Sequence, residues 1–220
     1  MSTMWHERWQ AGRIGFHSSA IHKDLVQYQS AFLSGGPHRV LVPLCGKTVD
    51  MRWLAEQGHE VVGVELVPQA IEEFFKEQEL SAEVEDHEGY SLYRSGKITI
   101  ACGDMLALGP EVLGSITRIW DRAALVALPY DVRVAYAAHL RDLSAEGARL
   151  LANVFEYDQS KMSGPPFSIT DKEVREHFRG CEIELQDERD GLDEFPRFRE
   201  LGNEYWTVRS YLVDNLKPAS

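Results

Sequence analysis

Short apolar runs alternate with amphipathic segments along most of the chain. The amphipathic segments repeat apolar residues at helical spacing, as Leu25, Tyr28 and Phe32 do, and the runs between them have the length of buried strands. This alternation is typical of a parallel sheet that is covered by helices. The predicted helices are 21–32, 51–56, 71–75 and 132–143. The predicted strands are 39–44, 60–66, 97–102, 117–121, 148–155, 181–185 and 206–213.

The connection between the last two predicted strands, residues 186–204, is polar and lacks a convincing helical pattern. Two strands that are joined without a crossover helix pair antiparallel. The predicted fold is therefore of the α/β class. It is a Rossmann-like, doubly wound, seven-stranded and mostly parallel sheet with one antiparallel edge strand and helices on both faces.

The 220 residues include 35 acidic and 23 basic side chains, which give a formal net charge of −12. A chain of this length without a linker or repeat is expected to form a single domain over residues 1–220. The acidic balance disfavours nucleic acids and anionic membranes as partners and favours a small molecule. No apolar run approaches the ~20 residues that span a bilayer, and the N-terminal residues show no leader pattern. We therefore expect a cytoplasmic protein.

Cys45, Cys102 and Cys181 are the only cysteines. Three scattered cysteines form neither a disulfide framework nor a paired metal-binding motif, and the histidines lack metal-ligand spacing. The sequence predicts a protein of a reducing compartment without a metal site.

Glycines and acidic residues stand where the first three predicted strands end. Gly46 follows the first strand, Glu65 ends the second, and Gly103 and Asp104 follow the third. Ligands of an open parallel sheet bind beyond the carboxyl ends of its strands. An acid at Glu65 could accept both ribose hydroxyls of an adenosine, and Gly103 and Asp104 could face the adenine amino group. The loop at Gly46 lacks the G-x-G-x-x-G pattern that binds a pyrophosphate, which disfavours a dinucleotide.

The fourth predicted strand ends in Asp121 and Arg122. These residues lie where the charged tail of a cofactor, or the substrate, would reach along the same edge. The strand ends alone leave two alternatives open. One is a nicotinamide-dependent oxidoreductase, which Glu65 could also serve, and the other is a non-catalytic protein that senses an adenosine ligand.

Four long stretches resemble the thiopurine S-methyltransferase family, within the class of S-adenosyl-L-methionine-dependent methyltransferases. They are WHERWQAGRIGFH at 5–17, VLVPLCGKTVDMRWLAEQGHEVVGVE at 40–65, IWDRAALVALP at 119–129, and EYDQ with GPPFSI between 156 and 169.

The resemblance implies roles for individual residues. Trp5 and Trp9 match tryptophans of an N-terminal segment, residues 1–22 here, that folds over the cofactor as a lid. Phe16 and Phe167 match positions beside the substrate. The cofactor-binding positions that the resemblance implies are Leu44, Gly46, Glu65, Gly103, Asp104 and Arg122.

The resemblance also implies the reaction, which is transfer of a methyl group from S-adenosyl-L-methionine to the sulfur of a small aromatic or heterocyclic thiol by a monomeric enzyme. Selenium or tellurium oxyanions are the alternative acceptors. Val42 and Leu44 stand where the broader class has an acid and a glycine, so the methionine end of the cofactor lacks its usual acidic partner. An aromatic thiol is partly ionised near neutral pH, and we therefore assign no catalytic base.

Overall fold

The computed structural model describes residues 2–216, which form two compact units divided between Trp120 and Asp121. Residue 1 and residues 217–220, the ends of the predicted domain, lie outside the described residues. The α-helices are α1 (Ser2–Gln10), α2 (Lys23–Phe32), α3 (Asp50–Glu56), α4 (Pro68–Glu77), α5 (Pro110–Leu113), α6 (Tyr130–Leu143), α7 (Asp171–His177) and α8 (Pro196–Glu200). The strands are β1 (Arg39–Pro43), β2 (Glu60–Glu65), β3 (Glu83–His87), β4 (Tyr90–Ser95), β5 (Ile98–Cys102), β6 (Ile116–Arg122), β7 (Ser144–Glu156), β8 (Glu182–Asp190) and β9 (Thr207–Asp214).

The first unit is built on strands in the order β3-β4-β5-β2-β1-β6. β1 pairs parallel with β2 and β6, and β2 pairs parallel with β5. Pro43 lies opposite Val64, and Glu65 lies opposite Cys102. The carboxyl ends of β1, β2 and β5 therefore share one edge, which places the residues after them close together.

Helix α4 shows why its sequence is helical and what the helix covers. It begins at Pro68, where proline is tolerated because the first N–H of a helix has no partner within the helix. Its buried residues, Ala70, Ile71, Phe74 and Phe75, repeat at helical spacing and form one apolar face. This helix confirms the prediction at 71–75 and extends it in both directions.

The second unit contains β7, β9 and β8 in that order. β9 pairs antiparallel with both neighbours, so the predicted antiparallel pairing of the last two strands is confirmed. The stretch 186–204, predicted as a loop, instead continues β8 to Asp190 and then forms α8. The longest described helix, α6, has 14 residues, and no helix within 2–216 has the length and apolar character of a membrane span.

The predicted fold class is confirmed, with two differences. The described residues form nine strands rather than seven, and antiparallel pairing is more extensive than one edge strand. The two additional strands, β3 and β4, form a hairpin whose outer strand is exposed along its whole length. The sequence EVEDH of β3 has a single apolar residue, so no hydrophobic pattern marks it as a strand.

Candidate active site

The carboxylate of Glu65 lies at the end of β2 and is buried, with 7% of the residue exposed. One oxygen accepts the backbone N–H of Gly46 at 2.8 Å, and the other accepts that of Val67 at 2.8 Å. Burial has the larger effect and raises the pKa of Glu65, although these backbone N–H groups lower it in part. The predicted acid therefore fastens the loop after β1 to the end of β2.

The loop after β1 has two residues with left-handed backbone, Leu44 with φ of 48° and Gly46 with φ of 53°. Glycine adopts this conformation freely, but leucine does so at a cost of order 1 kcal/mol. Leu44 thus holds a conformation that glycine adopts more readily. The ammonium of Lys47, which the sequence did not single out, donates to Glu73 at 2.8 Å and to Glu77 at 2.6 Å on α4.

The N-terminal helix α1 packs against this loop. Trp9 is 3% exposed and packs with Val67, and Trp5 and Phe16 lie against the same cluster. The Trp9 ring is close enough to Gly46 that a Cβ there would lie 3.4 Å from it. Trp9, one of the two tryptophans that the resemblance assigns to the lid, is therefore in contact with the loop after β1, and Trp5 packs on Phe16.

The third strand end joins the same edge. The N–H of Gly103 donates to the carbonyl of Glu65 at 2.9 Å. Asp104 is exposed, and its carboxylate accepts the N–H of Leu106 at 3.0 Å. The first unit thus brings together Gly46, Glu65 and Gly103, with Asp104 next to them in the chain.

Arg122 and Phe167, the remaining predicted site residues, belong to the second unit. Arg122 is partly buried at the end of β6 and precedes Ala123, whose φ of 67° is left-handed. Phe167 is partly buried, and its N–H donates to the carbonyl of Val126 at 2.6 Å.

Arg133 on α6, which no sequence pattern singled out, supports the segment around Phe167. Its side chain is 4% exposed and donates to Glu173 at 2.6 Å and to the carbonyl of Leu128 at 2.7 Å. Its guanidinium carbon lies 5.9 Å from the centroid of the Phe167 ring, which is within the range of a cation–π contact. His177 contacts the same oxygen of Glu173 at 3.0 Å, so the three charged or titratable side chains form one buried network.

Residues 1–215 match the thiopurine S-methyltransferase family. The chain belongs to this family. Among its relatives, the thiopurine S-methyltransferase of Bordetella petrii is 46% identical over 199 residues, which cover 90% of this chain and 91% of that protein. The thiopurine S-methyltransferase of Pseudomonas fluorescens is 41% identical over 199 residues, which cover 90% of each protein.

Solved structures of methyltransferases share the fold at low sequence identity. Magnesium protoporphyrin IX methyltransferase of Synechocystis aligns with a TM-score of 0.65 and 14% identity, over 96% of this chain and 99% of that one. The 1,6-didemethyltoxoflavin-N1-methyltransferase of Burkholderia thailandensis aligns with a TM-score of 0.65 and 19% identity, over 97% and 86%.

Membership of the thiopurine S-methyltransferase family confirms that the chain is an enzyme that uses S-adenosyl-L-methionine. The first unit fits this cofactor at Glu65. Each carboxylate oxygen accepts one backbone N–H at 2.8 Å and has a second lone pair, which suits a ribose hydroxyl. The individual roles of the ten predicted site residues stay predictions.

Asp121, beside Arg122, has a structural role in this family member. One carboxylate oxygen accepts the N–H of Leu125 at 3.0 Å and the other accepts the hydroxyl of Tyr136 at 2.7 Å. The residue is 0% exposed, so neither oxygen is available to take a proton from a substrate. Burial is the main cause that raises the pKa of Asp121 to about 6, from 3.8.

This raised pKa predicts a pH dependence of stability. The native state binds the Asp121 proton more tightly than the unfolded chain, so the contribution of this group to stability rises as the pH falls through about 6. Between pH 7.5 and pH 5 we expect Asp121 to add about 1.4 kcal/mol to the free energy of unfolding. Urea unfolding at both pH values should show this rise in the wild type relative to Asp121→Asn. The same pH dependence of stability in both proteins would contradict the raised pKa of Asp121.

Proposed function

We propose that the enzyme methylates the sulfur of small aromatic or heterocyclic thiols, with S-adenosyl-L-methionine as the methyl donor. The proposal is supported by relatives at 40–46% identity that are named thiopurine S-methyltransferases. It is also supported by the arrangement in the first unit, where a buried acid joins two strand-end glycines and Trp9 of α1 packs at one of them, Gly46. The observation that carries the cofactor half of the proposal is the paired acceptance of the Gly46 and Val67 N–H groups by Glu65.

Glu65, Gly46, Gly103 and Asp104 would hold the adenosine part of the cofactor, and Leu44 would contact its remaining part. The resemblance implies a further cofactor contact for Arg122. S-adenosyl-L-methionine carries its methyl group on a sulfonium, which makes the group reactive without a metal or a covalent nucleophile. The chain therefore contributes mainly position. Alignment of the reacting atoms can supply ~7–11 kcal/mol of the rate enhancement.

Residues 1–22 would act as a lid in which Trp5 and Trp9 cover the cofactor. Exclusion of water by aromatic side chains makes a thiolate more reactive, because a hydrated thiolate must first lose its water. Phe16 would contact the acceptor, and its ring suits a planar heterocycle. The resemblance implies the same role for Phe167. A partly ionised aromatic thiol needs no dedicated base, which agrees with the internal hydrogen bonds of Asp121.

The acceptor can be tested with labelled S-adenosyl-L-methionine and a panel of acceptors. The panel contains a thiopurine, its oxygen analogue, an alkyl thiol, selenite and tellurite. We expect methylation of the thiopurine at sulfur and little turnover of the oxygen analogue, since the more weakly acidic hydroxyl is a poor nucleophile at neutral pH. Turnover of selenite or tellurite without turnover of the thiopurine would replace the proposed acceptor by the oxyanions.

The nicotinamide-dependent oxidoreductase considered above is not supported, because the family is one of methyltransferases. A single domain, a monomeric state and a cytoplasmic location stay predictions.

A further inference from the structure

Asp50 is a buried acid that none of the proposed roles uses. It is the first residue of α3 and is 1% exposed. One carboxylate oxygen accepts the backbone N–H of His22 at 2.9 Å, and the other accepts the indole N–H of Trp120 at 2.9 Å. A buried carboxylate is strongly unfavourable unless such donors satisfy it, so these contacts fix the positions of both donors.

The two donors belong to different segments of the first unit. His22 is the residue before α2, where the N-terminal segment 1–22 ends, and Trp120 lies near the end of β6. The rings of His22 and Trp120 are 5.4 Å apart. Asp50 itself follows Gly46 by four residues. A single carboxylate therefore connects the end of the predicted lid to β6 and, along the chain, to the loop after β1, which we call the cofactor loop.

The rest of the N-terminal segment contacts the loop through its other end. Trp9 packs at Gly46, whereas residues 10–13 and 18–21 are mostly exposed. The segment is therefore held by the packing of Trp9, Ile14 and Phe16 on one cluster and by Asp50 at its end. Loss of the bond to Asp50 would leave mainly the aromatic packing to hold the segment over the loop, and opening of α1 would become more frequent.

We propose that Asp50 is a positioning residue that anchors the N-terminal segment over the cofactor loop and thereby slows release of the bound nucleoside. Only the second part of this inference, the slower release of the nucleoside, rests on the proposed function. Asp50 acts through the backbone of His22, and both of its carboxylate oxygens accept hydrogen bonds from the protein.

The backbone of His22 provides a matched pair of variants. Its φ of −65° is the value that proline requires, so His22→Pro removes the N–H that Asp50 binds without a change of this backbone angle. His22→Ala keeps that N–H. Both variants lose the imidazole, which accepts the N–H of Asp24 at 3.3 Å, so they differ at the attachment to Asp50, where the proline ring replaces the hydrogen bond.

Two measurements compare the variants. The first is amide hydrogen exchange of residues 3–17 in the ligand-free protein, and the second is the dissociation rate of S-adenosylhomocysteine. A hydrogen bond to a charged group is worth enough to change an equilibrium by about tenfold or more. We expect exchange and dissociation to be about tenfold faster in His22→Pro than in His22→Ala.

Equal exchange rates in the two variants, within about twofold, would overturn the anchoring role. Faster exchange with an unchanged dissociation rate would overturn the link to cofactor release. Failure of the wild type to bind S-adenosylhomocysteine would instead refute the proposed function, while the exchange comparison would still decide the anchoring role. If His22→Pro does not fold, Asp50→Asn replaces it. Its control is Asp142→Asn, a change of an exposed residue on α6. We again expect about tenfold faster exchange and dissociation in the Asp50 variant than in its control.

Discussion

Replacement of Glu65 by glutamine is expected to weaken binding of S-adenosyl-L-methionine by roughly a hundredfold. Both oxygens of Glu65 accept backbone N–H groups, whereas a glutamine amide has one oxygen and must turn its NH₂ group towards Gly46 or Val67. The variant would also lose the proposed charge-assisted bonds to the ribose, each worth roughly 1.5–3 kcal/mol. Isothermal titration calorimetry with the cofactor and with S-adenosylhomocysteine measures the change.

Glu60→Gln is the matched control, because Glu60 begins the same strand and is exposed. Its dissociation constant should stay within about twofold of the wild-type value. A dissociation constant of Glu65→Gln that is equally close to wild type, in a protein that unfolds at the wild-type temperature, would remove Glu65 from the cofactor site.

Arg133→Met is expected to lower the free energy of unfolding by about 3–5 kcal/mol, because removal of one partner leaves a buried charge uncompensated. Glu173 is that partner, with 12% of its side chain exposed. Burial raises the pKa of Glu173, but hydrogen bonds from His177 and Arg133 outweigh burial and hold that pKa below its usual value. The pair therefore stabilises the fold above the unfolded pKa of Glu173, and this contribution is lost as the pH falls through the lower, folded pKa.

Urea unfolding measures the effect of Arg133→Met, and Arg141→Met on the same helix is the control. Arg141 donates to the carbonyl of Arg179 at the exposed surface, so its loss should change stability by less than about 1 kcal/mol. The double variant Arg133→Met/Glu173→Leu should recover part of the loss, since it removes both charges. Equal free energies of unfolding for Arg133→Met and Arg141→Met would show that the buried network of Arg133, Glu173 and His177 is not energetically coupled.

Because Arg133 also contacts Phe167, the Arg133→Met variant should have a higher KM for the acceptor, with a smaller change in KM for the cofactor.

The sequence predicted the strands and the strand-end residues well, for a physical reason. Buried parallel strands are short apolar runs, and their ends must be polar or glycine where a ligand binds. The parallel strands β1, β2, β5 and β6 have this signature, and the residues at 46, 65 and 103 do lie at one edge. β3 and β4 lack it because the exposed outer strand of their hairpin needs no apolar face.

The buried charges could not be predicted in the same way. Asp50 meets partners 28 and 70 residues away, and Arg133 meets Glu173 40 residues away. No local spacing marks such pairs, because the fold alone brings them together. The left-handed Leu44 was equally hidden, since a leucine gives no indication that its backbone adopts a conformation typical of glycine.

Gly63 in the middle of β2 shows how closely the cofactor loop rests on the sheet. A Cβ at this position would lie 2.8 Å from the sulfur of Cys45 and 2.8 Å from the sulfur of Met51. Cys45 directly precedes Gly46, so a single added methyl would lift the loop from the strand. Positions 45, 51 and 63 consequently form one volume-constrained set. In a redesigned or diverged enzyme, a larger side chain at one of them would require a smaller one at another.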